Sequence, residues 1–438
     1  MSQTGCIRVR PGHKLRGTLR VPGDKSISHR ALILSALAKG TSHVRGWLPA
    51  GDTLATLGCM RALGVEIEQP DATTLTVHGR GLGGLQAPTA PLNCVNAGTA
   101  IRLLAGVLAG QSFSSILDGS DQLRRRPMAR IIQPLRQMNA LISGHDGHPP
   151  LHILGTHLRG ITYQMPVASA QVKSCLLLAG LFAEGATTVI EPGPARDHTE
   201  RMLRSMGTEV RSENGFVTLS PGPSLQPLDL TVPGDISSAA YGMVAGLLSA
   251  GGEVRIEGVN TNPTRSGILD ILALMGGRVG TSGERDEGGE PVADLIVERA
   301  SLHGTRIGGD LIVRAIDEFP VLMVAATQAE GKTEVSDAAE LRVKETDRIA
   351  VMARELRKLG AEIEEHTDGF AVSGPQALHG AVVQGHDDHR VAMSLVIAGL
   401  CAKGETLVED ARCVHDSFPG FVKTMQGLGA DVEWIGDD

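Results

Sequence analysis

Apolar positions along this chain recur in a fixed alternation of two patterns. The first is a compact run of Ala, Leu, Ile and Val, which predicts a buried helix. Six such runs stop at a glycine: Ala38-Lys39-Gly40, Leu108-Ala109-Gly110, Ala183-Glu184-Gly185, Ser249-Ala250-Gly251, Ala329-Glu330-Gly331 and Ala402-Lys403-Gly404. Each glycine reads as the left-handed residue that closes a helix. The second pattern is an amphipathic helix ending in Leu-Gly or Met-Gly, then alternating residues, as in Arg61-Ala-Leu-Gly-Val-Glu-Ile67 and Arg357-Lys-Leu-Gly-Ala-Glu-Ile363. The copy near Met138–Ser143 lacks the glycine. The alternating tails predict strands, and a further strand such as Leu75-Thr-Val77 closes the unit. Successive run-ending glycines lie 70, 75, 66, 80 and 73 residues apart, so six helix–strand–helix–strand units are expected, three per half. Repeats of this length exceed the roughly 20–50 residues typical of a thin solenoid. An α/β fold with two similar halves is the expectation.

The halves share an opening. Val21-Pro-Gly-Asp-Lys-Ser-Ile-Ser-His-Arg30 runs into the Ala31–Lys39 helix pattern, and Val232-Pro-Gly-Asp-Ile-Ser-Ser238 precedes Ala239–Ala250, 211 residues later. Asp24 or Ser26 can cap the first helix. Lys25, Ser26, His29 and Arg30 then crowd a first turn whose free N–H groups and dipole already favour an anion. A helix with a purely structural role would place acids there instead.

Polar groups gather before other runs too. Asn96-Ala-Gly-Thr99 and Arg102 precede or enter the second, Ser169-Ala-Gln-Val-Lys173 the third, Asp317-Glu318 the fifth and Asp388-His-Arg390 the sixth. If equivalent helix ends point one way, these groups converge on a site for a phosphate- and carboxylate-bearing substrate. Arg124-Arg-Arg-Pro-Met128, Arg196-Asp-His-Thr-Glu-Arg201 and Arg342-Val-Lys-Glu-Thr-Asp-Arg348 add dense charge. Lys344 and Glu345 fall at spacings that would share a helical face with Arg348. Taken singly, each stretch is equally a capped turn or a solvated charged surface.

Composition narrows the class. A length of 438 residues suggests two or three domains. Aromatics are only 3%, so the cores must be aliphatic, and a net charge of −8 argues against a nucleic-acid partner. No apolar run reaches the roughly 18–20 residues of a membrane span, and the start does not resemble a targeting peptide. Six cysteines without metal or redox spacing suit a reducing, cytoplasmic location.

Together the Pro22–Arg30, Asn96–Thr99, Arg124–Pro127, Ser169–Lys173, Arg196–Glu200, Asp317, Arg342–Arg348 and Asp388–Arg390 stretches occur in the order seen in the 5-enolpyruvylshikimate-3-phosphate synthase family. The chain resembles that family over essentially its whole length, in the subgroup that also carries Asn262-Pro-Thr-Arg265. The resemblance implies two domains of three βαβαββ units with pseudo-threefold symmetry, an inside-out α/β barrel. Residues 1–20 and 235–438 would form one and 21–234 the other, with the active site in a cleft that closes between them. It implies transfer of the enolpyruvyl group of phosphoenolpyruvate to the 5-hydroxyl of shikimate 3-phosphate, releasing phosphate, without metal or organic cofactor. Asp317 would be the base on the hydroxyl, Lys25 the bridge between substrates, and Glu345 the proton donor to the methylene. Lys25, Ser26, Arg30, Ser169, Ala170, Gln171, Arg196, Asp317 and Lys344 would bind shikimate 3-phosphate. Lys25, Gly98, Arg126, Gln171, Arg348 and Arg390 would bind phosphoenolpyruvate. A monomer, inhibited by glyphosate at the phosphoenolpyruvate site, is expected.

Two departures bear on that site: Asp416 stands where some members carry a lysine, and Leu103 where others carry a proline. The nearest rival is the related enolpyruvyl transferase acting on UDP-N-acetylglucosamine. It commonly has a reactive Cys in the loop that here reads Asp118-Gly-Ser-Asp-Gln-Leu-Arg-Arg-Arg126. RNA 3′-terminal phosphate cyclases use related units, but the nucleophile they need is not apparent here. A non-enzymatic scaffold would scatter its charges over outer faces.

Overall fold

A computed structural model describes residues 5–222 and 224–436. The chain divides into two compact units. One comprises residues up to Pro22, Gly234–Arg285 and those from Pro291 on; the other comprises Gly23–Pro233 with Asp286–Glu290. The five-residue tip of the hairpin made by strands Arg278–Glu287 and Glu290–Glu298 thus groups with the second unit, which no sequence pattern signals.

Among the described residues there are six four-stranded sheets and one two-stranded pair. In the sheet of residues 229–231, 39–45, 74–80 and 66–71, the first two strands are parallel and the remaining pairs antiparallel. Strand Cys6–Arg10 lies between Thr406–Glu409 and Asp431–Ile435, pairing Ile7 with Val408 and with Trp434. Gly17–Arg20 runs parallel to Val254–Asn260. Each unit has its own aliphatic core, with few aromatic pairs such as Tyr241 edge-on to Phe421. No described helix is long and apolar enough to cross a membrane.

The six apolar runs form the helices Lys25–Leu37, Gly98–Ala109, Ala170–Gly180, Ile236–Leu248, Phe319–Thr327 and His389–Cys401. They are buried around most of their circumference, so they need small residues to approach one another. At Gly106, an added Cβ would lie 2.2 Å from the Cys175 carbonyl oxygen, which fixes how closely Gly98–Ala109 packs on Ala170–Gly180.

The expectation that the glycine after each run caps its helix is corrected. The first helix ends at Leu37, and Gly40, at φ +127°, is already inside strand Lys39–Arg45. Gly331 opens a strand, and Gly110 caps its helix at φ −96°, outside the left-handed region. The left-handed closures belong to the second, amphipathic helices, at Gly64, Gly207, Gly276, Gly360 and Gly429. In the copy without glycine, Asn139 takes φ +73°; its short amide side chain tolerates that conformation better than most.

Candidate active site

None of the six apolar helices carries an acid in its first turn; the carboxylates nearest their positive ends are the N-cap residues Asp24, Asp235, Glu318 and Asp388. The predicted site residues divide between the two units.

In the unit built on Gly23–Pro233, Asp24 caps Lys25–Leu37 by accepting from the Ile27 N–H at 2.9 Å. Lys25 begins the helix, and its Nζ lies 3.0 Å from Asp52 Oδ2 with both side chains largely shielded. Ser26 is half-buried beside it. Arg30 turns inward: Nε donates to Thr199 Oγ1 at 2.8 Å, one terminal nitrogen to Ser174 Oγ at 2.8 Å, the other to the Ser26 carbonyl at 2.9 Å. Burial pushes its pKa down to about 10, with Glu200 and Asp24 pulling the other way. Buried His29 is bonded to Thr56, and loss of hydration lowers its pKa to about 3, so it stays neutral and structural at ordinary pH.

Gly98 and Gln171 meet through Arg102. Its guanidinium donates to the Gly98 carbonyl at 3.2 Å, to Gln171 Oε1 at 2.8 Å and to the Pro127 carbonyl at 3.3 Å. Gln171 in turn donates to Thr99 Oγ1 at 3.0 Å. A Cβ on Gly98 would lie 2.5 Å from an Arg126 terminal nitrogen, so the Arg126 guanidinium sits directly over this backbone. Of the other arginines in its run, Arg124 is exposed and paired with Asp118, and Arg125 is exposed. Ser169 caps the helix that Ala170 begins. Leu103, suspected of shaping the site, is wholly buried in the core.

Lys173, which the sequence does not mark as functional, ties the third run to Arg196. Its ammonium is 1% exposed and lies 2.6 Å from Glu200, 2.8 Å from Glu191 and 3.2 Å from the carbonyl of Ala195, the residue before Arg196. Burial alone would lower its pKa, but the two carboxylates raise it. A lysine four residues after Ser169, inside an apolar run, was the available signal.

The other unit assembles Asp317, Lys344, Glu345, Arg348 and Arg390. Arg348 begins helix Arg348–Lys358, capped by Asp347. Its guanidinium, 2% exposed, reaches Asp388 at 2.9 Å, Glu345 at 2.6 Å and Asp317 at 3.4 Å. Burial works against its charge, but those three acids raise its pKa well above the ordinary value. Arg390 donates to the Asp317 carbonyl at 3.1 Å and lies 3.6 Å from its carboxylate. Asp388 is buried; besides Arg348 it accepts from Thr346 Oγ1 at 3.1 Å and the Arg390 N–H at 3.0 Å. Behind Asp317, buried Glu318 pairs with Arg265 at 2.8 Å, giving the Asn262–Arg265 stretch a structural use.

Lys344 and Glu345 precede the helix rather than lining its face. A 3₁₀ turn, Ala339–Val343, ends at Lys344 in extended backbone, and Glu345 reaches Arg348 across the turn between. Burial lowers the Lys344 pKa, opposed by Asp317 and Glu340. Asp416 ends a separate short turn, Arg412–Asp416, and is half-buried.

Both clusters combine several cations with carboxylates held at ion-pair distance, a composition that suits anionic ligands. A family model described as EPSP synthase (3-phosphoshikimate 1-carboxyvinyltransferase) matches residues 9–425. A 3-phosphoshikimate 1-carboxyvinyltransferase of Citrifermentans bemidjiense is 51% identical, covering 96% of this chain and 98% of that protein. One from Acidithiobacillus ferrooxidans is 52% identical, covering 97% and 98%. The solved EPSP synthase from Acinetobacter baumannii matches with a TM-score of 0.89 and 44% identity, covering 99% of this chain and all of that one. With these relatives matched end to end and the motif residues gathered into two cation-rich clusters, the chain belongs to the EPSP synthase family, the 3-phosphoshikimate 1-carboxyvinyltransferases.

Proposed function

We propose that the two clusters act on one pair of substrates, shikimate 3-phosphate and phosphoenolpyruvate, in the addition–elimination that defines the family. The observation that carries this reading is the placement of Asp317 beside two buried arginines, Arg348 and Arg390. Those arginines are assigned to phosphoenolpyruvate, with Arg126 and the Gly98 backbone as further donors. The hydroxyl that Asp317 deprotonates is thereby brought against C2 of phosphoenolpyruvate, the carbon that bears the phosphate. Arg126 and Lys25 supply charge for the phosphate that leaves.

In the first step the 5-hydroxyl oxygen bonds to C2 of phosphoenolpyruvate while C3 gains a proton. Asp317 takes the hydroxyl proton, and Glu345, 2.6 Å from Arg348, gives one to C3. In the second step the Glu345 carboxylate left by the first takes a proton back from the new methyl group, the C2–C3 double bond re-forms, and the bond from C2 to the phosphate oxygen breaks to release phosphate. Lys25 bridges the substrates and is positioned by Asp52. Ser26, Arg30, Ser169, the Ala170 backbone, Gln171, Arg196 and Lys344 hold shikimate 3-phosphate. Arg30 acts from within the protein, because its nitrogens already tie Ser26 to the Thr199–Ser174 network.

Glyphosate, carrying carboxylate and phosphonate, is proposed to compete for the same cations. We also propose a monomer, and a cytoplasmic location, the latter supported by six free cysteines. The test is phosphate release with both substrates and no added metal. Turnover is expected only with the pair, and full turnover with UDP-N-acetylglucosamine replacing shikimate 3-phosphate would overturn the proposal.

A further inference from the structure

Two adjacent non-glycine residues, His386 and Asp387, hold left-handed backbone at φ +56° and +52° immediately before Asp388 and Arg390. L-residues disfavour that region, and a consecutive pair persists only where surrounding contacts fix it. The contacts come largely from one side chain. Glu355, two turns beyond Arg348 on the same helix, is fully buried. One of its oxygens lies 2.8 Å from His386 Nε2; the other accepts the Gln384 N–H at 2.9 Å and Lys358 Nζ at 2.6 Å. Asp387 is fixed in turn by its N–H donating to Asp410 at 2.8 Å.

We infer that Glu355 is a positioning residue for phosphoenolpyruvate: it holds the 384–387 turn in its disfavoured conformation and so places Arg390, together with Asp388, which anchors Arg348. Asp388 accepts from both Arg348 and the Arg390 backbone, so a relaxed turn would misplace both cations together. Of the residues assigned to shikimate 3-phosphate, Asp317 pairs with these arginines, whereas Lys25, Ser26, Arg30, Ser169, Gln171 and Arg196 belong to the other unit and would be untouched. The inference rests on the assignment of Arg348 and Arg390 to phosphoenolpyruvate.

The test is steady-state kinetics on Glu355→Gln in the full chain. The amide cannot accept at both oxygens, so KM for phosphoenolpyruvate is expected to rise about tenfold, the scale of one lost charge-assisted hydrogen bond. KM for shikimate 3-phosphate is expected to stay within about twofold. Adding His386→Gly and Asp387→Gly should restore most of the loss, because glycine occupies the left-handed region freely. An unchanged KM for phosphoenolpyruvate, equal rises for both substrates, or no rescue by the glycines would each overturn the inference. Should the glutamine variant fail to fold, Glu355→Asp keeps the charge but shortens the reach and is expected to give the same split. Arg390→Lys separates the two readings. If it leaves KM for phosphoenolpyruvate unchanged, the underlying assignment fails; if it raises it while Glu355→Gln does not, only the positioning role fails.

Discussion

Replacing Gly98 by alanine tests the phosphoenolpyruvate site with a single methyl group. The new Cβ would lie 2.5 Å from one Arg126 nitrogen and 2.9 Å from one Arg102 nitrogen, where ordinary contact begins at 3.4 Å. Arg102 is anchored to Gly98, Gln171 and Pro127, so Arg126 is the side chain that yields, by about 1 Å. That displacement carries a bond of about 2.9 Å beyond hydrogen-bonding range. Losing one charge-assisted bond costs about 1.5–3 kcal/mol, or roughly ten- to a hundredfold in KM for phosphoenolpyruvate. Glyphosate is longer and meets the methyl as well, so its inhibition constant should rise by a larger factor. Turnover at saturation should change little, because the bond is made in ground and transition states alike. The assay is phosphate release against phosphoenolpyruvate, with and without inhibitor, at saturating shikimate 3-phosphate. A KM and an inhibition constant both within twofold of the unmodified protein would refute the placement of Arg126 over Gly98.

Lys173→Met would leave Glu191 and Glu200 buried without their cation and should cost about 3–5 kcal/mol in denaturant unfolding; a loss below about 1 kcal/mol would refute the buried triad. Asp317→Asn keeps the shape but cannot take a proton, so turnover should fall roughly a hundred- to ten-thousandfold while shikimate 3-phosphate still binds in calorimetry. Near-normal turnover would remove Asp317 as the base. Glu355 has its pKa lowered to about 2: burial alone would raise it, but bonds from Lys358, His386 and the Gln384 N–H prevail. A depressed carboxylate stabilises the fold fully above its unfolded value, near 4.5, and the contribution drains away as pH falls toward 2. Urea midpoints at pH 6 and pH 3.5 should therefore differ less in Glu355→Gln than in the unmodified protein.

The repeat and the family were legible because they rest on local signals. A Val-Pro-Gly-Asp start, an apolar run and a Leu-Gly step each report backbone geometry within a few residues. The misread glycines show the limit of such signals. Gly40 and Gly64 look alike in sequence, yet one enters a strand and the other closes a helix. Likewise the Lys344–Arg348 spacing suited a helix, but the 3₁₀ turn ending at Val343 delays helix entry to Arg348. What was not legible depends on partners far apart in the chain. Arg102 joins residues from three segments, Lys173 needs Glu191 and Glu200, and the 286–290 tip groups with distant residues. No one-dimensional pattern encodes those pairings.

The position of strand Cys6–Arg10 has a consequence for synthesis. It leaves the ribosome about 400 residues ahead of both its neighbours, Thr406–Glu409 and Asp431–Ile435. At about 5–20 residues per second, the strand waits on the order of half a minute with its apolar Ile7 and Val9 unpartnered. The Gly23–Pro233 half meanwhile has nearly all of its own chain and can condense first. The other half is sealed only when Cys6–Arg10 meets these two late strands, so nascent chains that stall before them are left with an open sheet edge exposed to chaperones and to one another.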